Sequence, residues 1–319
     1  MEESHRWTGE DETLKTMKKW IKNNLTTLIL ILIGLVGVGL LVYPSFADWY
    51  NSFHQSRAVA SYVEAVSKLD KMDYDAYLSA AEDYNKELAK TGNQWELSEK
   101  QKEKYEKLLD VTGTGIMGYI DIPKIQITLP IYHGVDEAIL QVAIGHLAGT
   151  SLPVGGKNTH CVVSGHRGLP SAKLFTDLDQ MKEGDTFTMT VLDRTVTYEV
   201  DQIRIVEPTD LSNLQIEKDK DLCTLVTCTP YGINTHRLLV RGHRVANANG
   251  SANVTAEALQ IEQMYVAIII AAPILLVLLI IMLIRTGKEK RRKKRRERVE
   301  TGLRASGKRR RRRSADRRK

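Results

Sequence analysis

Cysteine is scarce in this chain, and clusters of metal-ligating side chains are missing. Only three of the 319 residues are cysteine, at positions 161, 223 and 228. If all three are extracellular, an odd number leaves at least one thiol free or bonded to another molecule. Aspartate and glutamate do not recur at a spacing typical of metal ligands. The sequence therefore predicts neither a required metal nor a cofactor.

Charge is absent from two long apolar stretches, residues 25–43 and residues 264–284. At about 1.5 Å per helical residue, each can cross about 30 Å of hydrocarbon. Two buried core helices are the alternative, but the unbroken run at residues 274–281 has no polar face to show water. The first stretch is long for a cleaved signal peptide and has no clear cleavage site. The sequence therefore predicts two transmembrane helices.

Basic residues flank the two predicted spans on one side of the membrane. Residues 285–319 hold 20 basic and four acidic residues, whereas the rest of the chain is mildly acidic. The positive-inside rule then places both termini in the cytoplasm and residues 44–263 outside the cell. We expect the basic tail to contact anionic lipid; nucleic acid is the alternative and is not the expected partner. Before the first span the basic residues are Lys15, Lys18, Lys19 and Lys22.

The residue pattern changes near Gly113. From residue 48 to residue 110, apolar side chains recur at helical spacing, and Ser98 with Gln101 is typical of a capping box. After Gly113, about seven short β-rich runs alternate with turn residues, and one helix is predicted near residues 137–145. This pattern favours a mainly β fold, either a closed barrel or a sandwich. The predicted strands are residues 118–122, 128–131, 159–164, 186–192, 195–206, 222–227 and 237–245.

Three reactive side chains lie at the ends of predicted strands: Cys228, His166 and Arg237. A thiolate is a nucleophile, and a nearby imidazolium or guanidinium favours it. Histidine can protonate a leaving amine, and arginine can hold an oxyanion. The residue types alone prove little, because buried cysteine is common as a small apolar residue. His236 is predicted to point away from Arg237, and four histidines are interpreted as structural: His133, His146, His160 and His243.

The segments around these side chains carry a family resemblance. Residues 224–228, Thr-Leu-Val-Thr-Cys, resemble the TLxTC signature of the sortases, which are membrane-anchored cysteine transpeptidases. Residues 164–168, Ser-Gly-His-Arg-Gly, resemble the segment that holds their catalytic histidine, and Arg237 lies where their arginine lies. The resemblance covers about residues 113–245. The pilin-polymerising branch, class C, is most similar at residues 145–147, 150–155 and 174–178, and a second span after the barrel also fits it.

The resemblance implies a sortase-type β-barrel and a transpeptidase mechanism. Cys228 would be the nucleophile, His166 the acid and base, and Arg237 the residue that holds the oxyanion. The enzyme would cleave an LPxTG-like sorting signal after Thr and form a thioester. A lysine amine of a pilin subunit would then resolve it. A sortase that anchors proteins to peptidoglycan is the alternative, and an inactive membrane-tethered scaffold is a rival of another class. A papain-like protease lacks support, because Cys228 is not in a Cys-Gly-x-Cys-Trp context.

A lid is less clearly marked. Many class C sortases carry an Asp-Pro-aromatic motif before the barrel, whereas residues 92–96 here keep only the aromatic, Trp95. A contact between a lid aspartate and Arg237 is therefore in doubt. Trp95 either plugs the site or caps the helical segment. Trp95 and Thr227 are the weaker candidates for lid or substrate-binding residues.

The equal spacing of cysteines predicts one pair of neighbours. Cys161 lies five residues before His166, and Cys223 lies five residues before Cys228. If the two strands are parallel neighbours, Cys161 lies beside Cys223, on the face opposite the reactive end, because side chains alternate along a strand. Two unrelated small core residues are the alternative.

The complete prediction is a two-pass membrane protein with an extracellular catalytic barrel. Its segments are a cytoplasmic N-terminus at residues 1–24, a span at 25–43, a helical stalk and lid region at 44–112, a β-barrel at 113–246, a linker at 247–263, a span at 264–284 and a polybasic cytoplasmic tail at 285–319.

Overall fold

A computed structural model describes residues 6–247 of the chain. The predicted second span and basic tail, and all but the first residue of the predicted linker, lie outside the described residues. The described part consists of three helices followed by strands, with the one-turn helix α4 and short 3-10 turns between some of the strands. The helices are α1 Arg6–Ser67, α2 Lys71–Thr91, α3 Glu99–Glu106 and α4 Glu137–Leu140, and the strands are β1 Ile116–Ile122, β2 Ile127–His133, β3 Ile144–His146, β4 Thr159–Ser164, β5 Thr186–Val191, β6 Arg194–Val206, β7 Asp221–Thr229 and β8 His236–Val245.

Helix α1 contains the first predicted span. Within residues 6–247 it is the one helix that is long and apolar enough to cross a membrane, over Trp20–Ser67. The sequence separated a span ending at residue 43 from a stalk, whereas α1 continues through Pro44 without a break. Proline in a helix interior removes one hydrogen-bond donor and crowds the carbonyl four residues earlier, so Pro44 destabilises α1 locally without ending it. The span and the first stalk helix are thus one element.

Helices α2 and α3 have well-defined ends. The side chain of Asp70 accepts a hydrogen bond from the Asp73 N–H at 2.8 Å, which caps the start of α2. Gly92 follows the last turn with a φ of 78°, a conformation that glycine adopts without strain. The predicted capping box is confirmed: the N–H of Ser98 donates to the Gln101 side chain at 2.9 Å. The loop that carries Trp95 lies between these two caps.

The eight strands close into a barrel in the order β1-β2-β3-β4-β7-β8-β6-β5, which confirms the barrel prediction. The pairs β2–β3 and β4–β7 are parallel, and the other pairs are antiparallel. Strand β3 was missed, because three residues are too few to show an alternating pattern. The helix predicted near residues 137–145 is only the single turn of α4.

Side chains alternate between the two faces of β4 and β7, so these strands separate two apolar clusters. The barrel interior contains Cys161, Cys223 and Leu225 within the main core, together with the stacked rings of Phe187 and Tyr198. On the outer face of β4, β7 and β8 lies a second cluster, which we call the outer floor. It consists of Val162, Leu214 and Leu239, against which Trp95, Leu147, Val206, Leu211 and Val226 pack.

Candidate active site

Cys228 and Arg237 are opposite residues on neighbouring antiparallel strands. In the register of β7 and β8, Cys228 is paired directly with Arg237. Opposite residues of such a pair have Cα atoms about 4.5–5.5 Å apart and side chains on the same face. Both side chains are partly exposed. The strand register therefore brings a thiol and a guanidinium together at the end of β7.

His166 reaches the same place from β4, which is parallel to β7. The register pairs Ser164 with Val226, and the Gly165 N–H continues the ladder by donating to the Val226 carbonyl at 3.1 Å. The hydroxyl of Thr227 donates to the Gly165 carbonyl at 2.7 Å. His166 follows at once, level with Cys228 on the next strand. Thr227 is buried and ties the histidine segment to β7.

The segment after His166 is held by the neighbouring Arg167. Its side chain is only 9% exposed, and it donates hydrogen bonds to the Thr176 carbonyl and to the Thr229 hydroxyl. It also forms an ion pair with Asp179 at 2.5 Å. A guanidinium that satisfies several acceptors at once fixes the backbone that carries it. The turn after β4 is thereby rigid enough to aim His166.

Glu137 is the charged group that faces His166. Its Oε2 atom lies 3.5 Å from His166 Nε2, a nitrogen that is buried and makes no hydrogen bond. Gln141, one turn later, donates to the other carboxylate oxygen. That hydrogen bond lowers the pKa of the Glu137 carboxyl, and His166 lowers this pKa further. The sequence analysis did not identify Glu137; the only signal was a Glu and a Gln four residues apart, which is too common to point to a site.

The guanidinium of Arg237 is oriented by backbone carbonyls. Its Nη1 atom donates to the carbonyls of Asn234 and His236 at 3.3 and 3.2 Å. Among residues 6–247, no carboxylate forms an ion pair with Arg237, in keeping with the missing lid aspartate. The next residue, His236, contacts Glu207 instead, at 3.2 Å. Backbone carbonyls thus orient Arg237, and within the described residues no carboxylate holds its remaining donors.

Trp95 packs on the outer floor, on the face of the sheet that carries Cys228 and Arg237. The floor includes Val226, two residues before Cys228, and Leu239, two residues after Arg237. Because side chains two apart along a strand share a face, the ring of Trp95 and the two reactive side chains lie on the same side of the sheet. The structure therefore brings Trp95 to the reactive face.

The loop that carries Trp95 is attached to the barrel by its backbone. The Gln94 N–H donates to the Gly149 carbonyl at 2.9 Å, and the Asn93 amide donates to the Leu214 carbonyl at 2.7 Å. A Cβ on Gly149 would lie 1.7 Å from the Gln94 carbonyl oxygen, so only glycine allows this approach. These contacts hold the loop independently of the Trp95 ring.

The remaining cysteines and histidines lie elsewhere. Cys161 and Cys223 are paired in the β4–β7 register, which confirms that they are neighbours, and both are buried free thiols in the barrel interior. Burial raises the pKa of the Cys223 thiol well above its ordinary value. His133, His146 and His160 are buried and hydrogen-bonded to backbone carbonyls. Within residues 6–247 no group of three or more potential ligands could hold a metal ion.

A thiol, an imidazole and a guanidinium on one face of a sheet are suited to acyl transfer. The thiolate can attack a carbonyl carbon, the guanidinium can receive the charge that develops on the oxygen, and the imidazole can give a proton to the leaving amine. The outer floor, occupied here by Trp95, offers an apolar surface that leads to the thiol.

Comparison with known proteins supports this interpretation of the fold. Residues 120–245 match the family model described as the sortase domain. A crystal structure of sortase C1 from Streptococcus agalactiae is 54% identical, with a TM-score of 0.59, and the match covers 60% of this chain and 99% of that one. Sortase C of Streptococcus pneumoniae is 42% identical, with a TM-score of 0.55, over 62% of this chain and all of that one.

Curated relatives match over shorter stretches. Sortase D of Bacillus subtilis is 30% identical over 131 residues, which is 40% of this chain and 63% of that protein. Sortase A of Streptococcus agalactiae is 32% identical over 117 residues, which is 36% of this chain and 47% of that protein. The chain thus spans less than two thirds of these two relatives, but it covers nearly all of the solved sortase C1. It belongs to the sortase family, whose members are cysteine transpeptidases.

Proposed function

We propose that this chain is a membrane-anchored sortase of the class C type that joins pilin subunits. The observation that carries the proposal is the strand register, in which Cys228 is opposite Arg237 and the segment holding His166 is bonded to the adjacent edge of β7. The solved relatives support the substrate class. One, from Streptococcus pneumoniae, is described in terms of pilin substrate specificity, and another, from Clostridium perfringens, was solved with a C-terminal cell wall sorting motif.

In the proposed reaction, the Cys228 thiolate attacks the carbonyl carbon of Thr in an LPxTG-like signal. The carbonyl electrons move to the oxygen, and Arg237 stabilises this oxyanion. His166 then gives its proton to the amine of the leaving Gly as the C–N bond breaks. The product is a thioester between Cys228 and the threonyl group. A pilin lysine attacks this thioester, the amine proton passes to His166, and the thiolate leaves.

Trp95 is proposed to cover the thiol in the resting enzyme. It occupies the outer floor that ends at Cys228, and its loop is attached to the barrel through Gly149 and Leu214. An LPxTG-like signal has apolar Leu and Pro residues that need such a surface. The loop must therefore leave the floor before the signal can bind.

The anchoring is proposed to follow the predicted topology. Helix α1 crosses the membrane with the N-terminus in the cytoplasm and the barrel outside the cell, since lysines precede the apolar run. The second span and the lipid contacts of the basic tail remain predictions. Both lie outside the described residues.

The test is to trap the acyl intermediate on the full-length protein. Incubating the enzyme with an LPxTG-like peptide should give a thioester on Cys228 by mass spectrometry, and hydroxylamine should release it. Cys228→Ala should form neither thioester nor product while the melting temperature stays unchanged. Cys161→Ala is a matched control, because the Cys161 thiol lies in the barrel interior. This variant should form the thioester on Cys228 as the parent does. Formation of product by Cys228→Ala would show that the nucleophile is misassigned.

The acceptor is tested by competition between two amines. A pilin fragment that carries its lysine and a peptidoglycan-type peptide amine are offered together to the thioester. The proposal expects the pilin lysine to be the main acceptor. Preferential transfer to the cell-wall amine would favour the anchoring alternative.

A further inference from the structure

The part of α1 just beyond the apolar run has two opposite faces. At about 100° per helical residue, Phe46, Tyr50 and Phe53 lie within about 60° of one another. All three are exposed, by 52%, 51% and 55% respectively, and none packs on the barrel core. Of these residues, Tyr50 is of the type that is enriched where a helix leaves the hydrocarbon. This aromatic face continues directly from the predicted span.

The opposite face is polar and binds the barrel. Asp48, Asn51 and Gln55 recur at intervals of three and four residues, so they also share one face, about 170° from the aromatic one. The Lys173 N–H donates to Asp48 at 2.6 Å, and the Asn51 amide donates to the Ser171 carbonyl at 2.7 Å. Gln55 makes the third contact. We call these three residues the polar face of α1.

The contacts of the polar face are with segments that place His166. Ser171 and Lys173 belong to the segment that follows His166 after β4. Gln55 donates to the carbonyl of Val142 at 2.7 Å, just after α4, the turn that holds Glu137 beside His166. The helix that leaves the membrane therefore binds both segments around the candidate catalytic histidine.

The height of these contacts above the membrane follows from helix geometry. The apolar run ends at residue 43, and at about 1.5 Å per residue Asp48 lies about 7.5 Å beyond it and Gln55 about 18 Å. The headgroup layer is roughly 5–8 Å thick on each side of the hydrocarbon. The polar face therefore begins at the outer edge of the headgroups. On the same scale Phe46 lies about 4.5 Å and Phe53 about 15 Å beyond the apolar run, so the aromatic face begins within the headgroup layer and extends past it.

We infer that the two-faced segment of α1 holds the candidate site at a fixed height at the membrane surface, and that this height decides which membrane-embedded sorting signals can reach Cys228. The inference rests on the proposed function. Helix α1 continues from the span into this segment, with Pro44 at the junction, and its polar face is bonded to the segments around His166 at three points. A sorting signal that emerges from its own membrane segment at the matching height meets Cys228, whereas one placed higher or lower does not.

The test changes the height without changing the site. A seven-residue helical segment rich in Ala, Glu and Lys is inserted between Pro44 and Ser45. Seven residues are almost two turns, so both faces keep their direction while the barrel rises by about 10 Å. The matched control carries the same insertion between Glu12 and Thr13, on the other side of the span. All proteins are full-length and reconstituted in lipid vesicles.

Each protein receives two substrates: a soluble LPxTG-like peptide, and the same signal fused to a membrane-spanning segment in the same vesicles. We expect the insertion after Pro44 to change cleavage of the soluble peptide by less than about twofold, but to lower cleavage of the membrane-embedded substrate about tenfold or more, because small misplacements of reacting groups are costly. Adding about three residues to the spacer of the embedded substrate, roughly 10 Å in extended form, should restore cleavage. The control insertion should change neither substrate.

The outcomes separate this inference from the proposed function. Equal cleavage of the embedded substrate by the parent and by the insertion after Pro44, with the soluble peptide still cleaved, would overturn the inference alone. So would an equal loss in the control insertion. A parent enzyme that cleaves neither substrate would overturn the proposed function, and the inference with it.

Discussion

Replacing Trp95 with alanine is expected to make Cys228 much more reactive toward small thiol reagents. A buried Trp side chain covers about 150–250 Å², and Trp95 is only partly buried on the outer floor, so about 100 Å² is removed from water. At about 25 cal/mol per Å² this area contributes about 2.5 kcal/mol to the closed loop, or roughly 70-fold in the ratio of closed to open forms. The two hydrogen bonds of Asn93 and Gln94 remain. We therefore expect an increase of at least about tenfold in the alkylation rate.

The assay is the rate at which iodoacetamide modifies Cys228, followed by peptide mass spectrometry of the full-length protein. Cys161 and Cys223 are internal references, since they are 2% and 0% exposed and should stay unmodified. Trp20→Ala is the matched control, because this Trp is 52% exposed on α1 and its loss should leave the rate unchanged. Equal rates in Trp95→Ala and the parent would show that Trp95 does not cover the thiol. Faster modification of all three cysteines would indicate a loosened barrel instead.

Three further predictions concern the residues around the site. Arg237→Lys should lower kcat/KM for an LPxTG-like peptide about a hundredfold, the scale for losing an oxyanion donor, because an ammonium lacks the planar fork of the guanidinium; a loss under about threefold would remove Arg237 from the proposed mechanism. Glu137→Gln removes the carboxylate that lies 3.5 Å from His166 Nε2, so kcat/KM for an LPxTG-like peptide should fall about two- to threefold, a small effect because Glu137 is exposed; an unchanged kcat/KM would contradict this electrostatic role. Thiol counting on non-reduced, denatured protein should find three thiols, because Cys161 and Cys223 are both free in the structure; a count of one would reveal a disulfide between them.

The sequence alone identified the features that depend on residues close together in the chain. The Thr-Leu-Val-Thr-Cys segment marks both the strand and the thiol at its end, because a strand of nine residues and its chemistry occupy one stretch of chain. The capping box at Ser98 and the apolar run within α1 are equally local, since each depends on residues within a few positions of one another. Family membership follows from the same local motifs.

The pairing of two strands could be predicted from the sequence only where equal spacing between residues indicated the register. The equal offsets of Cys161 and Cys223 from the reactive residues predicted their register, and β4 and β7 are indeed parallel neighbours. By contrast, β3 has three residues and exists because β2 and β4 lie on either side of it and exchange hydrogen bonds with it. Its own residues carry no pattern that distinguishes a short strand from a loop.

Only the tertiary structure decided what faces His166 and what holds the segments around it. Glu137 lies 29 positions before His166 in the chain, and the polar face of α1 lies more than a hundred positions before Ser171. The helical period indicates that Asp48, Asn51 and Gln55 share a face, but no local rule indicates which surface that face meets. Such partners are set by closure of the whole barrel, because contacts between distant segments depend on the register and packing of every element between them.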